Sequence, residues 1–233
     1  MWYTIKTPEF IPLIFLVLFM TKLEKFALIF FGYFIFQVLF IRIGFFLGST
    51  IGNFTLPLSL LAYCALLTFL FAFFVSKKKT RLEFIVAQLW FVLISILFIF
   101  LATLLSYTFD TSWDGQGYHQ SGVIALANGW NPVRQPTINF HQVLPSQIFA
   151  EGYPSALWEI QASVYAFTGK INSAKVTNFS IALLAGVILY ILLRKLKLNK
   201  YLSFGISSLA VIQPVFIIQL LTFMQDGFGY QLL

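Results

Sequence analysis

The residues best suited to chemistry gather in one stretch, Asp110 to Pro132, read DTSWDGQGYHQSGVIALANGWNP. It holds two of the chain's eight acidic residues, Asp110 and Asp114. A carboxylate held near a reacting hydroxyl is a proton acceptor, and Asp114 is the candidate base. Tyr118 and His119 follow it. Arg134 and Lys170 are the nearby cations suited to an anion, and the Arg fork can hold one with two parallel hydrogen bonds. Solvated surface charge is the plainer reading of both. His119 either donates to an anionic group or sits at headgroup level. His119 and His141 lack metal-ligand spacing and no third ligand accompanies them, so no metal is assigned. Asp226, between Gln225 and Gly227, is either a helix-end turn residue or a second carboxylate that positions an acceptor or a cation.

These side chains need elements to hold them. Asp114 to Asn128 reads as a short helix, with Asp114 as N-cap, Gly129 as the left-handed residue after its end, and Asn131-Pro132 preventing continuation. Tyr118, Ser121, Gly122 and Ala125 share one face, while Val123, Ile124, Leu126 and Ala127 supply apolar surface. A helix N-terminus stabilises the Asp114 anion and a water-poor cleft destabilises it. A plain N-cap is the structural alternative for this residue.

The surroundings are membrane-like. Of 233 residues 59% are hydrophobic and 10% charged, with mean hydropathy +0.87, more apolar surface than a soluble domain of this size needs. Long unbroken apolar runs without period-2 alternation predict helices rather than a barrel. The fold class expected is all-α: a polytopic membrane helical bundle with an outward loop carrying short amphipathic juxtamembrane helices. The net charge of +7 is spread over several loops, which argues against a nucleic-acid partner and for basic anchoring at one membrane face. Cys64 is the single cysteine, so no intramolecular disulfide forms. No cleavable signal pattern is recognised at the start.

Along the chain, Pro8 to Thr21 is a run of about 14 residues, short of the ~20 that a span needs. Phe26 to Gly44 and about Phe54 to Val75 are long enough to cross. Leu82 to Tyr107 would be ~39 Å long at ~1.5 Å per residue, against a ~30 Å hydrocarbon core, so it protrudes or tilts. A polar connection, Thr108 to Tyr153, follows; its length and its aromatic residues favour a functional loop over a disordered one. Ser155 to Gly169 reads as a juxtamembrane helix, because Glu159 and Gln161 suit lipid poorly. Ser173 to Leu193 and Tyr201 to Phe223 are two further spans. Two organisational units result: 1–81, N-terminal transmembrane helices, and 82–233, which contains the first outward loop at 108–153. Ten of the fifteen Lys and Arg residues then fall on one side: Lys22, Lys25, Lys77, Lys78, Lys79, Arg81, Arg194, Lys195, Lys197 and Lys200. The positive-inside rule makes that side cytoplasmic and turns the long loop and Asp226 outward.

The order of these features resembles the N-terminal half of the GT-C fold membrane glycosyltransferases that use polyprenyl-phosphate sugar donors, a group that includes protein O-mannosyltransferases and lipid A aminoarabinose transferases. The resemblance runs roughly from Leu82 to Gln231. In that group an acidic residue opens the first outward loop, followed by a Tyr, an Ala-Leu pair, a Gly and a Pro. Asp114, Tyr118, Ala125-Leu126, Gly129 and Pro132 match it. The group's Tyr-Pro-Pro helix start corresponds to Gly152-Tyr153-Pro154, with Ser155 in place of the second Pro, and its later Asp corresponds to Asp226. The chain departs from the pattern in having three apolar runs before the usual first helix. It also lacks the C-terminal half, so 82–233 is expected to be a truncated catalytic domain.

The resemblance implies inverting transfer of a sugar from a polyprenyl-phosphate donor to a glycan, lipid or protein acceptor at the outer face of a bacterial plasma (inner) membrane. Asp114 and Asp226 would be the catalytic carboxylates, with Tyr118, His119, Arg134, Tyr153 and Lys170 binding substrate. No cofactor is required by this chemistry, and a divalent cation remains an option. A multi-pass transporter or lipid flippase is the alternative from another class, and a non-catalytic membrane subunit is a third.

Overall fold

The computed structural model describes residues 21–74, 78–138, 151 and 156–224. Among them all regular structure is helical: α1 (Lys22–Leu47), α2 (Thr55–Phe74), α3 (Lys78–Leu105), a π-helical turn at Gly115–His119 running into α4 (Gln120–Ala127), α5 (Ala156–Thr168), a 3-10 turn at Ile171–Lys175 running into α6 (Val176–Lys195), α7 (Lys200–Val211) and α8 (Pro214–Leu220). Three helical segments are long and apolar enough to cross a membrane, Lys22–Leu47, Phe84–Leu105 and Ile171–Lys195, and Thr55–Phe71 is a shorter apolar helix. The Pro8–Thr21 run lies outside the described residues except for Thr21.

α1 is the centre of the assembly and packs on α2, α3, α5 and α6. It starts where Thr21 and Glu24 form a capping box: the Thr21 hydroxyl accepts the Glu24 N–H at 3.3 Å, and the Glu24 carboxylate accepts the Thr21 N–H at 2.6 Å. It stops at Gly48, whose φ of 91° lets the chain turn back on its own last carbonyls. Between these ends Phe30, Tyr33, Tyr63 and Phe91 form an aromatic cluster with ring centroids 5.2 to 6.0 Å apart. Gly32 is required there, because a Cβ would stand 2.5 Å from the Tyr63 hydroxyl, which donates to the Ile29 carbonyl at 2.8 Å.

Two contacts define the ends of the assembly. At one end Lys195 pairs with Glu24 at 2.7 Å, joining the end of α6 to the start of α1, so the Lys22/Lys25 and Arg194–Lys200 clusters lie together. At the other, the loop end, the Asn131 side chain donates to the Phe45 carbonyl at 2.9 Å and the Ser49 carbonyl at 3.1 Å.

Two segments differ from expectation. The helix expected to lie on the membrane surface over Ser155–Gly169 is α5, and it is buried from Trp158 to Val164. Its polar side chains find partners on neighbouring helices. Glu159 is held by Arg42 of α1, Ser163 accepts from Gln37 of α1 at 2.8 Å, and Gln161 donates to Asn178 of α6 at 3.3 Å. Glu159 and Gln161 therefore face other helices rather than an open surface, with each polar group partnered. The Tyr201–Phe223 span is divided into α7 and α8. Pro214 has no N–H to donate, and it pushes Gln213 to φ −57° and ψ 144°, so the helix restarts rather than continues.

Candidate functional site

The Asp110–Pro132 stretch folds at the loop end, directly after α3. The helix expected there is present, with a different start. Asp114 adopts φ −66° and ψ −37°, already helical, and its side chain caps nothing. The N-cap reading of Asp114 is thus incorrect; it is Asp110 that holds the turn leading into the helix. Asp110 Oδ1 accepts the Ser112 N–H at 2.8 Å and the Ser112 hydroxyl at 2.6 Å. The Gln116 side-chain amide donates to the Asp110 carbonyl. Gly115 lets the chain pass against the Asp110 carboxylate, where a Cβ would collide with it.

The expected end of the helix is also present. Gly129 has φ 100°, its N–H donates to Leu126, and the Trp130 N–H reaches back to Ala125 at 2.9 Å. The loop then folds on itself. Trp130 Nε1 donates to the Gln135 carbonyl at 2.8 Å, and Glu151 accepts the Ile138 N–H at 2.6 Å.

Asp110 is buried and organises more than this turn. Its Oδ2 accepts the Phe223 N–H at 2.6 Å, tying the segment after α8 to the loop. Lys175, fully buried at the start of α6, donates to the Thr108 carbonyl at 2.7 Å and to the Thr108 hydroxyl at 2.8 Å. Its ammonium interacts electrostatically with Asp110. A buried cation keeps its charge at tolerable cost only with such partners.

The sequence-derived site residues separate into groups. Asp114, Tyr118 and His119 share one helical stretch. Tyr118 stays partly exposed, but His119 is buried between α4 and α5. The Trp158 indole N–H donates to His119 Nδ1 at 3.1 Å, so the imidazole is neutral there with its proton on Nε2. Gly122 makes this interface possible, since a Cβ there would stand 2.7 Å from the Trp158 ring. Lys170 lies at the end of α3, its ammonium 4.6 Å above the Tyr107 ring and 3.4 Å from the Ser106 hydroxyl. Tyr107 is exposed, as are Phe109 and Trp113 further along the chain. Arg134 stands apart, donating to the Phe46 carbonyl at 2.9 Å at the end of α1, where a cation complements the helix dipole. Tyr153 and Asp226 lie outside the described residues.

The carboxylates differ in what holds them. Glu24 is paired with Lys195, Asp110 is bound by Ser112 and Phe223, Glu151 accepts from Ile138, and Glu159 is clasped by Arg42 at 2.5 and 3.1 Å. Asp114 has no hydrogen bond or ion pair among the described residues, and it is partly exposed. No group of three or more His, Cys, Asp or Glu side chains able to hold a metal ion occurs among the described residues.

Sequence reasoning gave no structural role to Asp110, and none to Lys175 or the Arg42–Glu159 pair. A signal was present for Lys175, an ionisable residue at the mouth of an apolar span. No protein family, curated protein or solved structure matches this chain.

Proposed function

We propose that the chain is part of a membrane glycosyltransferase that moves a sugar from a polyprenyl-phosphate donor to an acceptor hydroxyl at the outer membrane face, with Asp114 as the base. The observation that carries this reading is the free Asp114 carboxylate. Glu24, Asp110, Glu151 and Glu159 are committed to holding structure, whereas Asp114 is partly exposed beside Tyr118. Such a group can accept the acceptor's proton as the sugar–phosphate bond breaks. The departing phosphate carries the negative charge to a cation at the same end. Arg134, which keeps guanidinium donors beyond the one used on Phe46, is the first candidate for that cation. Inverting displacement needs no second nucleophilic carboxylate.

The experiment is a transfer assay. Membranes carrying the protein, expressed from its complete reading frame, are supplied with radiolabelled polyprenyl-phosphate sugars, and label leaving the lipid fraction is followed. Donor-dependent transfer above control membranes supports the reading; its absence with every donor tried goes against it.

The break at Gln213–Pro214 and the buried Lys175 favour a second reading, a transporter, because interrupted helices and buried charges mark substrate paths in such proteins. Uptake or flipping of a labelled substrate without bond cleavage would distinguish it.

A further inference from the structure

A largely apolar cavity lies among the described helices. It lies between α1, α2, α3, α5 and α6 as an open cleft, with about 640 Å³ of space between the atoms when the open solvent at its edge is counted. Phe30, Phe34, Leu60, Phe98 and Val164 make its walls apolar. Of its lining residues, Ile99 and Phe167 are exposed, at 37% and 41%. α1, α3 and α6, which hold the three candidate spans, supply most of its walls, so the cavity lies within the part of the assembly suited to a bilayer.

One polar group within it is unaccounted for. Thr177 lines the cavity at 2% exposure, and its hydroxyl has no hydrogen-bond partner among the described residues. The other hydroxyls around it are satisfied: Ser95 donates to Phe91, Ser180 to Val176, and Tyr33 pairs with Ser59. A buried hydroxyl without a partner costs enough that a ligand supplying one is favoured. Thr177 is in the first turn of α6, toward the loop end. One turn of α3 beyond Ala102, a second lining residue, the Lys170 ammonium sits at Ser106 and Tyr107.

We infer that this cavity holds one acyl chain of an anionic glycerophospholipid, with the Thr177 hydroxyl donating to the acyl ester carbonyl and Lys170 facing the phosphodiester. Along the helices from the loop end the order matches: cation, hydroxyl donor, apolar walls. The ester carbonyl just below the phosphate gives Thr177 its partner, and a prenyl phosphate has no carbonyl at that place. Lys170 is thereby assigned to the phospholipid, and the donor phosphate is left to Arg134. The inference rests on the chain spanning a membrane, and it holds whether or not sugar transfer is found.

The test is native mass spectrometry of the detergent-purified protein equilibrated with mixed micelles of phosphatidylglycerol, its dialkyl ether analogue, or phosphatidylcholine. One phosphatidylglycerol per chain is expected, retained about fivefold better than the ether analogue, the size of one net hydrogen bond. Thr177→Val keeps the side-chain volume and should abolish the ester-over-ether preference while leaving helical content unchanged. Lys170→Gln should abolish the preference for phosphatidylglycerol over phosphatidylcholine without touching the ester preference. Equal retention of ester and ether lipids by the wild-type protein would overturn the inference. So would displacement of the phospholipid by polyprenyl phosphate to the same extent in wild type and Thr177→Val, or no retained lipid at all.

Discussion

The carboxylate of Asp110 accepts the backbone N–H of Phe223 at 2.6 Å, across a sequence separation of 113 residues. This bond closes the loop that follows α3 onto the segment that follows α8, beside the buried Lys175. Asp110→Asn should therefore destabilise the fold. Either amide orientation leaves one of the donors that Asp110 now satisfies facing an NH₂ group, and Lys175 loses its nearby negative charge. A loss of about 2–4 kcal/mol is expected from an unsatisfied buried donor together with the weakened charge pair. Thermal unfolding in detergent measures it, and an unchanged midpoint would remove Asp110 from its organising role.

The Arg42–Glu159 pair holds α5 against α1. Glu159 is fully buried, so Arg42→Ala strands a carboxylate. Because the Arg42 side chain is 35% exposed, the cost should fall below the ~3–5 kcal/mol of a fully buried pair. Glu159→Gln combined with Arg42→Ala should cost less than the two changes added together. A double-mutant cycle reports the coupling, and strict additivity would mean that the pair is incidental.

Gly122 lets α4 approach the Trp158 ring, which in turn donates to His119. Gly122→Ala adds a methyl group with no room, and overpacking of this kind typically costs about 1–3 kcal/mol. Trp158 fluorescence gives a local readout, since a displaced indole changes its emission. No change in stability or emission would contradict the close packing.

The ion pair between Glu24 and Lys195 brings both N- and C-terminal basic clusters to one end of the helices, opposite Asp110. Reporter fusions after Lys197 should read cytoplasmic, and a fusion near Gln142 should read outward, by the positive-inside rule. A cytoplasmic signal at Gln142 would reverse the orientation on which the outward site depends.

Much of this architecture is legible in the sequence, for identifiable reasons. Apolar run length marks α1, α3 and α6, and Gly129 marks the end of α4 through its left-handed backbone. Thr21-Lys22-Leu23-Glu24 carries the capping-box pattern that starts α1. The burial of α5 was hidden because Glu159, Gln161 and Ser163 look polar alone, and their partners Arg42, Asn178 and Gln37 are remote in sequence. Asn178 illustrates the same point. It stands in a sequon, yet its side-chain amide is buried and donates to the Gln219 and Thr222 carbonyls at 2.9 Å. Asp110 and Asp114 both precede the same helix, and only the three-dimensional path decides which carboxylate turns inward.

The central claim is that Asp114 is the uncommitted base, and Asp114→Asn tests it most directly. The side chain makes no contact that holds the fold together, so expression and the unfolding midpoint should be unchanged. Asn cannot accept the acceptor's proton, so single-turnover transfer from radiolabelled polyprenyl-phosphate sugar should fall by about 10²–10⁴-fold, the usual contribution of a general base. Donor-lipid affinity should remain close to wild type, because the base acts on the acceptor rather than on the phosphate. Near-normal transfer by a well-expressed Asp114→Asn protein would contradict the account.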